Sequence, residues 1–226
     1  MYIMIQKKTE PMKIVVIGAG GFGREVIWTL NDCNKNSKKY EILGYIDDNS
    51  SLRGKKIDNY PVLGGLDWFS EENKDVYCII AIGDSKTRYD IFRKLESKKI
   101  KFATIIHPSV ISSKFVEIGE GTIIQAGSII TPDTKIGNHV HINMDCSIAH
   151  DCDVKDFVTI SPGVHINGNN VIGKGSFFGT GAVTIEKITV GEWSVVGAGT
   201  VLVKNVPEFS LYVGVPGKLK KKLTPH

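Results

Sequence analysis

The stretch IGEGTIIQAGSIITPDTKIG, residues 118–137, returns to isoleucine at every sixth position, and this step decides the fold. The step continues to residue 202, where fourteen of fifteen positions are large and apolar and only Thr184 is an exception. The series consists of Ile118, Ile124, Ile130, Ile136, Ile142, Ile148, Val154, Ile160, Ile166, Ile172, Phe178, Thr184, Val190, Val196 and Leu202. With a hydrophobic content of 42%, chance does not produce such a series.

A period of six matches neither an α-helix, with about 3.6 residues per turn, nor a β-strand, with about two. It fits a short strand followed by a tight corner. Three such units close a triangular coil of eighteen residues, and stacked coils pair as parallel strands around a continuous apolar core. Residues 118–202 therefore predict a parallel β-helix of about five coils, spaced by roughly 4.8 Å. Glycine follows the apolar residue at 119, 137, 173, 179, 191 and 197, where we expect it to supply corner dihedrals that other residues resist.

Before the repeat, β-type apolar runs alternate with helical patterns. The predicted strands are 13–17, 41–46, 76–82 and 102–106, and the predicted helices are 24–30 and 88–96. This alternation predicts a small parallel sheet in an α/β, Rossmann-like domain.

The domain boundaries follow from these patterns. We expect residues 12–106 to form the Rossmann-like domain and residues 107–205 the β-helix. Residues 206–226 leave the repeat as a tail with a short helix at 218–223, and residues 1–11 are expected to be a disordered extension.

Composition and charge exclude several classes of protein. The net charge of +4 is mild and concentrated in the tail lysines, which argues against nucleic acid as a partner. No apolar run has the roughly 18 residues of a membrane span, and residues 1–11 lack a signal-peptide pattern. The four cysteines form no CxxC pair, so a reducing cytoplasm is expected.

The motif Gly18-x-Gly20-x-x-Gly23 lies between a predicted strand and a predicted helix. In that position glycines let the backbone approach a phosphate at the helix N-terminus. About 95 residues precede the repeat, which is too few for two mononucleotide-binding halves, so we favour a mononucleotide or nucleotide sugar over NAD. At the carboxyl ends of the strands, the ligand would meet Gly20, Gly21, Asp47, Asp48 and Gly83.

His150 and Asp151 are adjacent at a predicted corner of the β-helix. A neighbouring carboxylate can fix the tautomer of an imidazole and raise its basicity, although a lone surface histidine is usually inert. Gly168 occupies the same corner one coil later, where its N–H is a candidate oxyanion donor for acyl transfer. The remaining β-helix histidines, 139, 141 and 165, fall in other columns of the eighteen-residue coil, so no metal site is expected within one subunit.

These motifs resemble the sialic-acid O-acetyltransferase and UDP-4-amino-sugar N-acetyltransferase family of bacterial glycan pathways. The resemblance covers residues 12–220. It rests on the segments 18–23, 46–48, 81–84, 106–109, 150–151 and the ending Gly-Val-Pro-Gly-Lys at 214–218.

The resemblance implies a left-handed winding, acetyl-CoA as donor, and a homotrimer with its active site between neighbouring β-helices. It implies His150 as general base and Asp151 as its enhancer. The implied nucleotide-sugar site is Gly20, Gly21, Phe22, Asp47, Asp48 and Gly83, and the implied acetyl-CoA contacts are Thr159, Gly168, Thr180 and Ala198. Phe22 and Thr159 stand where relatives commonly have histidine.

We therefore expect a cytoplasmic, acetyl-CoA-dependent N-acetyltransferase acting on a nucleotide-linked 4-amino-4,6-dideoxy sugar in lipopolysaccharide or capsule biosynthesis. The predicted partners are the nucleotide sugar and two further copies of the chain, without a metal, nucleic acid or membrane. Alternatives are an O-acetyltransferase of a sialic acid or capsule sugar, a non-catalytic nucleotide-sugar-binding trimer, and a β-helix carbonic anhydrase.

Overall fold

The structure, a computed structural model, describes residues 10–225. Most of the predicted disordered extension, residues 1–11, lies outside the described residues. Residues 12–102 form a six-stranded sheet with strand order β3-β4-β2-β1-β5-β6 and two α-helices. In chain order these elements are β1 (Met12–Ile17), α1 (Gly21–Asn34), β2 (Tyr40–Ile46), β3 (Lys56–Ile57), β4 (Tyr60–Gly64), β5 (Tyr77–Ile80), α2 (Ser85–Glu96) and β6 (Lys101–Phe102). Short 3-10 helices lie at Ser50–Leu52, Leu66–Trp68 and Glu71–Asn73.

Alternation along β1 places a helix on each face of this sheet. Ile14 and Val16 pack with α1 in one core, while Val15 and Ile17 pack with Leu95 of α2 in the other. All neighbouring strands run parallel except the β3–β4 hairpin. The expected Rossmann-like sheet is therefore confirmed.

Several boundaries differ from the sequence prediction, among them those of α1, which spans Gly21–Asn34 rather than 24–30. Helix α2 begins at Ser85 rather than at residue 88, because the Asp84 side chain caps it by accepting the Thr87 N–H at 2.8 Å. The single strand predicted at 102–106 is wrong. Lys101–Phe102 ends the first sheet, whereas Ile105–Ile106 pairs with Ile123–Ile124 in the β-helix.

The β-helix is a triangular prism with three parallel faces, and it confirms the left-handed hexapeptide-repeat architecture. Face 1 contains Ile105–Ile106, Ile123–Ile124, His141–Ile142, Thr159–Ile160, Phe177–Phe178 and Val195–Val196. Face 2 contains Ile111–Ser112, Ile129–Ile130, Ser147–Ile148, His165–Ile166, Val183–Thr184 and Val201–Leu202. Face 3 contains Glu117–Ile118, Lys135–Ile136, Asp153–Val154, Val171–Ile172 and Thr189–Val190.

The corners place a left-handed backbone conformation at every sixth residue from 121 to 199. The residues at these positions, all with positive φ, are Gly121, Gly127, Asp133, His139, Asp145, Asp151, Phe157, Gly163, Asn169, Gly175, Gly181, Lys187, Trp193 and Gly199. The glycines that directly follow the apolar residue do not have positive φ, so the role predicted for them is wrong. They are small because the next coil passes too close: a Cβ on Gly173 would lie 2.6 Å from the Glu192 nitrogen.

Small polar side chains inside the prism satisfy the corner carbonyls. Thr134 donates to the carbonyl of Ala149 at 3.0 Å, and the thiol of Cys152 donates to that of Asn167 at 3.1 Å. The exceptional Thr184 is likewise paired, because the buried Asn170 donates to its hydroxyl at 2.5 Å. The break in the apolar series is therefore a satisfied polar pair.

The tail continues face 1. Ser210–Val213 pairs in parallel with Val195–Val196, and Lys218–Lys222 returns antiparallel beside it. The helix predicted at 218–223 is therefore wrong. Within residues 10–225, no helix is both long and apolar enough to cross a membrane.

Candidate active site

His150 and Asp151 stand at the corner that joins face 2 to face 3. The left-handed φ of Asp151, 58°, turns its carboxylate toward the preceding side chain. Asp151 Oδ2 lies 2.7 Å from His150 Nδ1, and both side chains are 54% exposed. A carboxylate accepts but does not donate, so Nδ1 carries the proton and Nε2 keeps its lone pair when the ring is neutral.

Gly168 lies directly beside this imidazole, one coil later. Asn169 N–H donates to the His150 carbonyl at 3.0 Å, which fixes the two coils in register. A Cβ on Gly168 would stand 2.7 Å from His150 Cε1 and 2.8 Å from Nε2, so only glycine leaves room for the ring. Among the described residues, no hydrogen-bond acceptor faces the Gly168 N–H.

Thr180 and Ala198 lie one coil apart at a different corner, between face 1 and face 2. Both are exposed. In a single chain, face 2 separates them from His150. One copy of the protein therefore does not bring the four residues expected around acetyl-CoA to one place.

Thr159 does not present its side chain to solvent. It is 2% exposed beneath the Rossmann-like domain. Its hydroxyl donates to the Gly83 carbonyl at 2.8 Å and lies 3.0 Å from the Ser85 hydroxyl. In the single chain this side chain makes contacts between the domains, and the acetyl-CoA contact expected at Thr159 stays a prediction.

The expected nucleotide-sugar residues gather around the carboxyl ends of β1, β2 and β5. A cleft of about 220 Å³ opens there, with an acidic rim of Asp47 and Asp48 and apolar walls that include Leu66, Ile82 and Ile91. No atom lies within 4 Å of a Cβ position at Gly20, Gly21 or Gly83, so these three backbones are open to a ligand.

Two of these residues also shape the protein itself. Asp47 accepts the Ala19 N–H at 2.8 Å and thereby ties the glycine loop to the end of β2. Phe22, at the start of α1, packs against His141 of face 1 with ring centroids 5.0 Å apart. Phe22 therefore serves the contact between the domains as well as the rim of the proposed site.

The other β-helix histidines have separate environments. His139 stacks on Phe157, His141 accepts from Arg88, and His165 lies 2.8 Å from the Ser147 hydroxyl on face 2. In the part of the chain that the structure describes, no group of three or more His, Cys, Asp or Glu side chains is arranged to hold a metal ion.

The sequence prediction missed Arg88, which is fully buried between the two domains. The Asp84-Ser85 capping signal would have placed Arg88 in the first turn of α2 rather than at its start. Its burial depends on the docking of the domains, which no local pattern encodes.

Two family descriptions match the chain. Residues 13–95 match the PglD N-terminal domain, and residues 133–168 match the bacterial transferase hexapeptide with six repeats. These segments contain the glycine loop with its cleft and the His150 corner, respectively.

Named relatives match across most of the length. A GDP-perosamine N-acetyltransferase of Escherichia coli O157:H7 is 32% identical over 186 residues, covering 81% of this chain and 82% of the relative. A point mutant of perosamine N-acetyltransferase from Caulobacter crescentus, solved with CoA and GDP-perosamine, is 30% identical with a TM-score of 0.85, covering 93% and 97% of the two chains. The acetyltransferase domain of PglB from Neisseria gonorrhoeae, solved with acetyl coenzyme A, is 31% identical with a TM-score of 0.84, covering 93% and 100%.

Proposed function

The chain belongs to the hexapeptide-repeat family of sugar acetyltransferases, and from this membership we propose that it transfers acetyl from acetyl-CoA to the amine of a nucleotide-linked 4-amino-4,6-dideoxy sugar in bacterial surface-glycan biosynthesis. The observation that carries the proposal is the His150–Asp151 pair, with its imidazole against Gly168. In this proposal the cleft of about 220 Å³ at the end of the parallel sheet supplies the acceptor side of the reaction.

The geometry supports direct transfer. His150 Nε2 takes a proton from the amine as its nitrogen attacks the thioester carbonyl carbon. The N–H of Gly168 donates to the developing oxyanion. The carbon–sulfur bond then breaks, the amide is complete, and the CoA sulfur recovers the proton from the imidazolium. Asp151 stabilises that imidazolium through Nδ1, at 2.7 Å.

We infer that the working unit is a homotrimer. Face 2 exposes apolar side chains in its first two coils, with Ile111 65% and Ile129 41% exposed, and the polar pair Ser147 and His165 follows in the next two coils. His150 lies along one edge of this face, and Thr180 and Ala198 lie along the other. Packing one copy's His150 edge near another copy's Thr180 edge would assemble an acetyl-CoA groove from Gly168, Thr180 and Ala198.

The acceptor enters from the Rossmann-like domain in this proposal. The backbones of Gly20, Gly21 and Gly83 approach the diphosphate, while the base and ribose occupy the cleft rimmed by Asp47 and Asp48. Phe22 covers the side of this site that faces the β-helix. We place the reaction in the cytoplasm, where acetyl-CoA and nucleotide sugars are made.

Replacement of His150 tests the proposal. His150→Ala should lower kcat for GDP- and UDP-linked 4-amino sugars by about 100- to 10,000-fold, which is the usual contribution of general-base catalysis. Trimer assembly and CoA binding should persist, since the side chain is exposed and makes its one hydrogen bond to Asp151. Release of the CoA thiol measures the rate, and isothermal calorimetry measures CoA binding.

A matched control is available at the same corner. Glu186→Ala removes an exposed side chain one coil beyond Gly168 and should keep near-normal kcat. Near-normal kcat in His150→Ala would contradict the mechanism. A wild-type protein inactive on the whole panel of nucleotide-linked 4-amino sugars would contradict the function.

A further inference from the structure

Arg88 is a fully buried charged side chain that belongs to neither proposed substrate site. It lies in the first turn of α2 with 0% exposure, between the Rossmann-like domain and face 1. Burial lowers the pKa of Arg88 to about 9, an effect that nearby Asp84 opposes, so the guanidinium stays charged at neutral pH. Such a charge is costly to bury unless its donors are satisfied.

The guanidinium donates hydrogen bonds to both domains at once. On the Rossmann-like side, Nη1 donates to the carbonyl of Ile82 at 2.7 Å, and Gly83 O lies at 3.3 Å. On the β-helix side, Nε donates to the His139 carbonyl at 3.0 Å and Nη2 to the Phe157 carbonyl at 2.8 Å. Residues 139 and 157 are one coil apart, so a single side chain joins the Gly83 loop to two successive coils.

Thr159 completes this clamp. Its hydroxyl accepts from Arg88 Nη2 at 2.9 Å and donates to the Gly83 carbonyl at 2.8 Å. Ser85 Oγ lies 3.0 Å from the same hydroxyl. The Gly83 carbonyl is thus held in place while the other side of Gly83 remains open to a ligand.

The location of the clamp gives it a role beyond stability. Apolar residues of similar volume often stabilise a buried site as well as a charge does, or better. Here the charge fixes the backbone of Ile82, which lines the cleft, and of Gly83, which belongs to the proposed diphosphate site. The clamp therefore sets the position of the nucleotide relative to the β-helix that performs the acetyl transfer.

We propose that Arg88 is a positioning residue, which locks the Gly83 loop onto face 1 so that a nucleotide-anchored amine reaches the acetyl-transfer site at one fixed distance. The inference rests on the proposed function. Anchoring converts the encounter between amine and thioester into an effectively intramolecular step, and a misplacement of about 1 Å can cost about 100-fold in rate.

The test compares anchored and free acceptors. Arg88→Lys keeps the charge but loses the fork of donors that spans the two domains. For a GDP- or UDP-linked 4-amino sugar, kcat per CoA-binding site should fall by about 10- to 100-fold, while KM stays within about twofold. For the methyl glycoside of the same amino sugar, at high concentration, the rate should be unchanged because no anchor is used.

Two further variants complete the experiment. Ser85→Ala removes one hydroxyl from the clamp with little change in volume, so it should fold and shift the ratio of the two acceptors in the same direction by a smaller factor. Arg93→Lys lies on the same helix, in an exposed ion pair with Glu96, and should leave the ratio unchanged.

The outcomes separate the two proposals. The positioning role alone is overturned if the rates on both acceptors fall equally. It is also overturned if Arg88→Lys and Ser85→Ala lower the melting temperature but leave the ratio of the two rates unchanged. A wild-type enzyme inactive on every nucleotide-linked amine overturns the proposed function, and this inference falls with it.

Discussion

At the scale of single residues, the left-handed corner determines where a reactive side chain can stand. Asp and Asn tolerate this conformation better than most residues, because their short polar side chains bond locally. Asp151 uses it to hold the preceding imidazole at 2.7 Å. The equivalent corner one coil earlier has Asp133 with φ 59° but proline before it, and hence no base.

Gly168 provides a prediction at this scale. In Gly168→Ala the new Cβ would stand 2.7 to 2.8 Å from Cε1 and Nε2 of His150, and the exposed ring must swing away. The backbone at 168 has no positive φ, so the fold accepts alanine. We expect kcat to fall by about 10- to 100-fold, as misplacement of a catalytic group predicts.

Steady-state kinetics measures kcat of Gly168→Ala, and a melting curve measures its thermal stability. The melting temperature should stay close to that of the wild type, because the displaced group is an exposed side chain. Wild-type kcat in this variant would show that the contact between ring and glycine has no part in the reaction.

Single residues also show the limits of sequence reasoning. Because one coil has eighteen residues, the sequence predicted that Gly168 lies beside His150, and the structure has them in contact. The same count could not show that the Rossmann-like domain covers Thr159, since that depends on docking. The glycines after the apolar residue were correctly located but wrongly explained, because their constraint is the approach of the next coil.

At the scale of elements, the three faces of the prism differ in what their outward side chains meet. Face 1 is covered in its early coils by the Rossmann-like domain. Face 3 carries charged side chains such as Glu117, Lys135 and Asp153. Face 2 exposes Ile111 and Ile129 with no covering element. This apolar face is where we expect the neighbouring copies to pack.

Ile129→Asp tests that assignment. A carboxylate inside a buried contact is costly to desolvate, so the trimer should dissociate to monomers at micromolar concentration. Activity should be lost in parallel, because the proposed groove needs two copies. Sedimentation measures the mass, and Lys135→Asp on face 3 is the matched control, which should stay trimeric. A trimeric, active Ile129→Asp would exclude face 2 as the interface.

Elements with a strong internal period were predictable from the sequence, and those that depend on distant pairing were not. The step of six located the prism strands because each one buries its own apolar residue. The segment 218–222 has no such signal. Its conformation comes from backbone pairing with Ser210–Val213, an interaction outside the segment itself.

At the scale of the whole molecule, the domain contact buries two histidines. His139 is 1% exposed among Phe92, Phe102 and Phe157, and neither ring nitrogen has a hydrogen-bond partner among the described residues. Burial, with a smaller effect of Arg88, lowers the pKa of His139 to about 4. The pKa of His141 is lowered in the same direction, again chiefly by burial.

This contact makes stability depend on pH. Below about pH 6.5 the unfolded chain takes up a proton at residue 139 before the folded one does, so stability present at pH 7 is lost as the pH falls toward 4. For His139 alone the loss amounts to about 3 kcal/mol, from about 1.4 kcal/mol per pKa unit. Urea unfolding at pH 7, 5.5 and 4 measures it.

The variant His139→Asn isolates the contribution of His139 to this pH dependence of stability. Asparagine tolerates the left-handed φ of 53° but does not titrate. The variant should be less stable at pH 7, because it loses the ring contacts, yet its free energy of unfolding should fall less between pH 7 and pH 4. An unchanged pH dependence would show that His139 titrates normally in the folded protein.

The docking of the two domains was beyond sequence prediction. Each domain has its own periodic or alternating pattern, and these patterns predict the domains separately. The contact joins residues more than fifty positions apart, such as Arg88 with His139 and Thr29 with Gln125. In the sequence, the residues of this contact have no feature that distinguishes them from other residues of a helix or of the repeat.

The antiparallel strand at the end of the tail has a consequence for solubility. A stack of parallel coils ends in a row of unpaired backbone groups, onto which another stack could add without limit. Here Lys218–Lys222 forms the last strand of face 1 at this end of the prism and leaves Lys218, Lys220, Lys221 and Lys222 exposed. A second prism approaching end to end would meet like charges, so growth into fibres is opposed at the point where the fold itself would permit it.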